Sequence, residues 1–393
     1  LWWIFIYFCD TMWDSYKKTF LNTFKDLQKL YPPCNERLHI GPGNLQPHYH
    51  DILFKTLVWD KTCVVKGFTT KWSYRGRQEY AITQAFNEFS DIHKTCFHGP
   101  TLLGDKQEPV YHFISEEITD KPIDFTILSP QELVKRYKSF VSTFDSFIDD
   151  YWPICNRYNL GSYSKAMSKM ISTWQHYANK IKILKKGMLI LISKLELAQL
   201  ESWITYGEKY IIDEHNSSFV SSIINYDRSE LVSNFKKLLD NKNITVDDYH
   251  FAHWSLYTGK VYGNIDEKTI ITDLDRIGPQ YRGKDFVWLL WSSLSLNTYN
   301  YLDFNDYKEK FDDLMVQCED IVHNWALLKV LMYSKLIWMI FNDYGRLMLS
   351  RDHNRKSIID QWYTPEANAI RGIQRTAQLF QEMFGDTITI KKI

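Results

Sequence analysis

Neither sign of charge is in surplus in this chain: Lys plus Arg and Asp plus Glu both number 47. No overall charge field therefore exists to hold nucleic acid or an anionic membrane surface, which leaves only a local basic cleft for such a partner. No two cysteines stand in a CxxC spacing; Cys9, Cys34, Cys63, Cys96, Cys155 and Cys318 are scattered. That excludes a zinc ribbon and a dense disulfide framework, and reads as a reducing, cytoplasmic setting. No apolar run at the start spans a bilayer: "LWWIFIYFC" stops after nine residues, at Asp10, whereas a membrane helix needs about 20. The run lacks a basic flank and a small-residue cleavage site, so it is a poor signal peptide. Residues 1–11 are expected to be an upstream extension or an alternative start, without stable membrane insertion. Internal repeats and low-complexity linkers are missing too, and the packed units are read as one continuous body.

What is present is an ordinary globular composition of 393 residues, 45% hydrophobic and 24% charged, with an aromatic share of 16% that favours large, rigid core side chains. The length allows two or three packed units. The pattern changes character near residue 118. Before it, Phe20, Phe24, Leu27 and Leu30 fall at helical spacing over 12–30. "DILFKTLVW" (51–59) and "TCVVKGF" (62–68) predict an antiparallel hairpin, a helix follows over 77–89, and "PTLLGD" and "VYHFISEEI" predict a second strand pair. After it helices dominate. Ser129-Pro130-Gln131-Glu132 is a helix start in which Ser129 caps an amide and Glu132 returns a bond to the cap. Further helices are expected over 162–210 and 217–240, and a buried one over 324–349. The expectation is an α+β, two-lobed fold: residues 12–118 form a small antiparallel-sheet lobe with one main helix, 119–310 a helical lobe, and 311–393 its helical C-terminal part.

Three constellations carry chemistry. Lys66 closes the apolar strand "CVVK" and Glu79 lies in the next helix, within "RQEYAI". A strand lysine can hold nucleotide phosphates, and a helix carboxylate can fix its direction, although a surface Lys and Glu this far apart also occur by chance. "VYHFISEEI" is an apolar strand that ends in Glu116 and Ile118 and serves equally well as plain core. In "TIITDLDRIGPQYRGKDF" a β-branched strand ends in Asp273 and Asp275, with Asp285 beyond Arg282. Carboxylates at a strand's end suit magnesium, a hard cation that prefers oxygen; taken alone, the same residues are an acidic turn.

In their order, "VVK", "RQEYAI", "FISEEI" and "ITDLDRIGPQYRGKDF" resemble the aminoglycoside phosphotransferase and choline kinase-like superfamily, including the spore-coat kinase-like proteins, over roughly residues 40–310. The resemblance implies a protein-kinase-like fold binding ATP with Mg2+. It also implies that Lys66 contacts phosphate, Glu79 orients it, Glu116 to Ile118 form the adenine hinge, Asp273 with Asp275 holds the metal, and Asp285 braces the catalytic loop. That loop departs from the pattern His-Gly-Asp-x-x-x-x-Asn. His253, twenty positions before Asp273 in "HWSLYTGK", and Gly259 match, but Ser255 stands at the catalytic Asp and Lys260 at the metal-binding Asn. A neutral hydroxyl is a poor base near neutral pH, and Lys260 brings a cation to a metal ligand's place, where it would replace one magnesium ion electrostatically or occupy the nucleotide phosphate site itself. Gly41 to Asn44 is the one candidate for a glycine-rich phosphate loop, and a simple turn explains it as well.

Three functions follow: a phosphotransferase-type protein that binds nucleotide but is catalytically impaired, pseudokinase-like, and acts through a ligand or protein partner; an active ATP-dependent small-molecule kinase with a rearranged loop, using Asp247, Asp248 or Asp275 as base; or a helical scaffold. His250 and His253 on one helical face would suggest zinc but lack a further ligand nearby. "KIKILKKG" (180–187) reads as a solvated helix face. The sequons at Asn216 and Asn243 matter only in a secreted chain.

Overall fold

The computed structural model describes residues 22–32, 51–70, 73–123, 125, 128–157, 182–211, 223–245, 248–253, 260–263, 268–274, 278–289, 304–318, 321–351 and 366–390. It divides into two compact units. One takes in the chain up to Pro122 with segments 147–172 and 261–275; the other takes in 123–146, 173–260 and 276–393.

The first unit is built on the predicted hairpin. β1 (Asp51–Val58) and β2 (Lys61–Phe68) pair antiparallel with Val58 opposite Lys61. The two residues between them, Trp59 and Asp60, both have positive φ, 50° and 61°, as the tight turn matching right-handed strand twist requires. β4 (Leu102–Lys106) and β5 (His112–Glu116) complete a four-stranded sheet of order β1-β2-β5-β4. Side chains alternate across a pleated sheet, and that alternation sorts β2. Val65 joins Phe54, Leu27 and Tyr31 in a core under α1 (22–30). Its neighbours in the chain take the other face, where Phe68 packs with Tyr111 and Phe113. α2 (Ser73–His93) lies on that face. It approaches at Gly76, where an added Cβ would stand 2.4 Å from the Phe68 ring. α2 runs beyond the expected 77–89 at both ends, and its Phe86 and Phe89 pack on Phe147 of α3 (Pro130–Arg157), with ring centroids 5.1 and 5.5 Å away.

A second small sheet follows α2. β3 (Phe97–His98) runs parallel to β9 (Thr269–Ile271), and β8 (Val261–Gly263) runs antiparallel to β9. Asn87 of α2 locks the entry to β4 by accepting from the Gly99 amide at 2.7 Å and donating to the Pro100 carbonyl at 3.0 Å.

The second unit is mainly helical. Ser129 caps α3 through the amide of Glu132 at 3.2 Å, as expected, but the Glu132 carboxylate pairs with Arg136 at 2.8 Å instead of returning to the cap. An i,i+4 guanidinium within reach outcompetes the cap amide. α4 (Lys182–Ile211) follows. The stretch expected as helix over 217–240 instead begins, in its described part, with strand β6 (Ile224–Tyr226), and helix α5 (Arg228–Leu239) starts only after Asp227. Asp227 in extended conformation accepts from the amides of Ser229 and Glu230, and an N-cap of this kind stops a helix from running further back. β7 (Tyr249–Ala252) pairs with β10 (Gly278–Tyr281), and a short helix α6 (284–289) follows. α7 (Phe304–Cys318), α8 (Trp325–Arg351), α9 (Glu366–Phe384) and β11 (Ile388–Ile390), which pairs with β6, end the described chain.

α8 is the buried helix expected over 324–349. Its residues from Leu327 to Phe341 are largely enclosed. Tyr333 is ringed by Phe235, Phe380 and Phe384 and donates to the Leu231 carbonyl at 2.9 Å. Among the described residues no helix is long and apolar enough to cross a membrane.

Candidate functional site

Lys66 lies one residue beyond Val65 on β2, and the pleat turns it to the face that α2 covers. Its Nζ donates to both carboxylate oxygens of Glu79, at 2.7 and 2.8 Å. Glu79 is presented by the second turn of α2, the turn Gly76 brings close to the sheet. A third bond runs from Nζ to Asp273 Oδ1 at 3.2 Å. Asp273 follows β9, whose two backbone partners, β3 and β8, fix the strand's end. The side chains of Lys66, Glu79 and Asp273 are 12%, 9% and 14% exposed, so one ammonium and two carboxylates share a nearly enclosed site. Asp273 has φ of 59°, the left-handed region that Asp tolerates better than most residues and that recurs at functional positions.

The segment from Glu116, expected as a hinge, is tied into the sheet. The amide of Glu116 donates to the Thr101 carbonyl at 2.9 Å and that of Glu117 to the Thr62 carbonyl at 3.2 Å. The Glu116 carboxylate faces Lys61 at 3.6 Å, and Glu117 pairs with Lys55. Both amides are therefore engaged before the chain reaches Ile118.

In the helical unit, His253 follows β7 and is fully buried. Its backbone amide donates to Asp285 Oδ2 at 2.7 Å. His250 lies on β7, so the two histidines do not share a helical face. Among the described residues no group of three His, Cys, Asp or Glu side chains is arranged to hold a metal. Lys260 is the residue before β8, whose first residue Val261 pairs with Ile271, the last of β9. Ser255, Gly259, Asp275, Asp247 and Gly41 to Asn44 lie outside the described residues.

Asp248 is tied into a turn by one of its carboxylate oxygens. Its Oδ2 accepts from the Thr245 amide at 2.7 Å and from Asn324 Nδ2 at 2.8 Å, and its carbonyl accepts from the Arg282 amide at 2.7 Å. Asn324 in turn caps α8 through the amides of Ala326 and Leu327. One oxygen of the carboxylate fixes a turn to a helix start.

Sequence reasoning missed one feature. Lys284, adjacent to Asp285, donates to both oxygens of Glu196 on α4, at 2.8 and 2.6 Å, and these side chains are 7% and 1% exposed. The partners are 88 positions apart, and nothing in the local pattern around either one signals the other.

No family model and no curated protein matches this chain. Its structure is similar to that of a spectinomycin phosphotransferase in complex with ADP and spectinomycin, at 12% identity and TM-score 0.41, covering 84% of this chain and 91% of the other. It is also similar to an aminoglycoside phosphotransferase of Alicyclobacillus acidocaldarius at 11% identity and TM-score 0.40, covering 86% and 91%. An amicoumacin kinase in complex with AMP-PNP and Ca2+ gives 12% and 0.41, with coverage of 84% and 90%. At this level of identity and superposition, the functional reading has to stand on the side chains themselves.

Proposed function

We propose that this chain binds a nucleoside triphosphate with a divalent cation, in the manner of the aminoglycoside and choline kinase-like phosphotransferases, and that its phosphoryl transfer is impaired. The observation that carries the reading is the convergence on Lys66 of a helix carboxylate, Glu79, and a strand-end carboxylate, Asp273. Phosphoryl transfer depends on positioning and charge neutralisation: an ammonium directed at phosphate oxygens, a carboxylate that orients it, and a carboxylate that holds Mg2+ bridging the phosphates. Magnesium bound through phosphate oxygens needs only one or two protein carboxylates, and Asp273 with Asp275 meets that need. When bound, the ion would neutralise charge on the phosphates. Lys66 would exchange its bond to Asp273 for one to phosphate, while Glu79 keeps it aimed.

Impairment rests on the loop. Ser255 in place of Asp cannot take the acceptor's proton near neutral pH, and Lys260 in place of Asn supplies no metal ligand. The bonds to Asp248 Oδ2 at the start of α8 favour this reading over an active kinase that would use Asp248 as base. With the amides of Glu116 and Glu117 bonded inside the sheet, a purine's hydrogen bonds fall to Ile118 and the residues after it. Cytoplasmic residence and the lack of membrane and nucleic-acid partners belong to the same reading, and the acceptor or protein partner is left open by it.

The test is thermal melting in millimolar ADP or ATP with and without Mg2+. A ligand that binds only the folded state at about a hundredfold excess over Kd stabilises it by about 2.7 kcal/mol. A rise in Tm that requires both nucleotide and Mg2+ is expected; no shift in either condition refutes nucleotide binding.

A further inference from the structure

We infer that the buried pair Glu196–Lys284 is a positioning device that sets the backbone of the loop starting at His253. The inference rests on the phosphotransferase reading, in which that loop faces the reaction. α4 grips the β10–α6 segment at two points, each residue of α4 meeting one residue of the segment. Ser193 Oγ and Tyr281 Oη share a hydrogen bond of 2.7 Å, and one helical turn later Glu196 takes both of its bonds from Lys284. Residues three apart on a helix lie on one face, so α4 presents both contacts together. Ser334 of α8 faces Glu196 Oε2 at 3.5 Å, which ties a second helix to the same carboxylate. The next residue after Lys284 is Asp285, and its Oδ2 accepts the His253 amide.

The chain of cause is short. Two helices hold the Glu196 carboxylate, the carboxylate holds the first residue of α6, and the next residue of α6 bonds the His253 amide. A fully enclosed ion pair is a poor way to gain stability, because desolvation offsets the attraction, and apolar replacements of similar size often serve as well. What such a pair does supply is a fixed distance and direction, as two short bonds to one ammonium define both. Lys66 and its carboxylates handle phosphate; Glu196 and Lys284 touch neither nucleotide nor metal and act through Asp285.

The deciding variant is Glu196→Leu with Lys284→Met, which removes both charges together and keeps the volume. Glu196→Gln, which strands the buried ammonium, is the harsher second variant. Hydrogen exchange at the peptide containing His253 is read in the full chain. We expect exchange there to quicken at least tenfold in the double variant, with the β2 peptide and the melting cooperativity unchanged. The charge-swapped pair Glu196→Lys with Lys284→Glu should return it toward the parent rate. Unchanged exchange at His253 in the double variant overturns the inference. The two failures are separable, because the ADP–Mg2+ melting test is run on the same proteins. Quickened exchange in a parent that binds no nucleotide upholds the tie and refutes the phosphotransferase reading.

Discussion

Asp273 accepts a hydrogen bond from Lys66 at 3.2 Å although 207 positions of chain separate them. Asp273 does so from a left-handed backbone, with φ of 59°. The strand-borne ammonium is thus held by its orienting carboxylate and by the carboxylate proposed for the metal. A nucleotide and cation bound as proposed would rearrange bonds that already exist.

Asp273→Asn keeps the size and tolerates the left-handed backbone but removes the charge. The Mg2+-dependent part of the nucleotide-induced Tm rise should disappear, while the melting point of the ligand-free protein changes little. Asp273→Gly relieves the backbone as well and should lose the Mg2+ dependence equally. A metal-dependent shift that survives both variants would rule out Asp273 as a metal ligand.

Restoring the family residues tests the loop register. Ser255→Asp with Lys260→Asn should raise ATP hydrolysis above that of the parent at least tenfold, read by phosphate release at saturating Mg2+. A general base contributes typically about 100-fold or more, so no gain at all in a variant that still binds ADP would mean that His253 does not open the catalytic loop.

His112 makes the first unit sensitive to acid. It is enclosed on β5, with Nδ1 at 2.8 Å from the Val110 carbonyl and Nε2 at 3.1 Å from the Tyr31 hydroxyl. Burial, foremost, pushes its pKa below the ordinary histidine value; Lys106 lowers it further, while the Val110 carbonyl and Asp105 act the other way. His98 is lowered for the same leading reason. The unfolded chain therefore takes up protons before the folded one does. Stability is complete above the unfolded value of about 6.5 and is lost as pH falls from there toward the lower folded values, by at most about 1.4 kcal/mol per pH unit for each histidine. Urea midpoints should drop between pH 7.5 and 5.5, and His112→Asn, whose amide imitates the Nδ1 bond, should flatten part of that slope.

Gly207 on α4 fits against α8 because it has no side chain: a Cβ there would stand 2.0 Å from the Phe341 ring. Alanine would gain up to about 1 kcal/mol of helix propensity, but overpacking of this kind costs about 1–3 kcal/mol. Gly207→Ala should therefore lower stability by about 1–2 kcal/mol, read by chemical denaturation. Adding Phe341→Leu should recover a good part of the loss.

Much of the architecture was legible in advance because it is local. The strand-like runs "DILFKTLVW" and "TCVVKGF" marked the β1–β2 hairpin, although its turn falls on Trp59-Asp60 and not on the expected Asp60-Lys61, and the Ser129-Pro130 signal marked the start of α3. The misreading at 217–240 came from apolar residues that suit strand or helix, where Asp227 decided the boundary by capping. The site was half legible. Lys66, Glu79 and Asp273 were singled out by type and order along the chain, and the two carboxylates do meet the ammonium. Asp248 was singled out by type alone and proved to be committed to Asn324 and Thr245.

What the amino-acid sequence determined by itself is whatever depends on neighbours within a few positions: the period of the strands and helices, the caps, the side of β2 on which Lys66 stands, and the Ser and Lys at the loop positions. Tertiary structure alone decided which distant partners those side chains found. The Glu196–Lys284 pair and the Asp285–His253 bond each join residues many turns of chain apart. Their energies depend on enclosure and direction, and neither exists until the helices around them have packed.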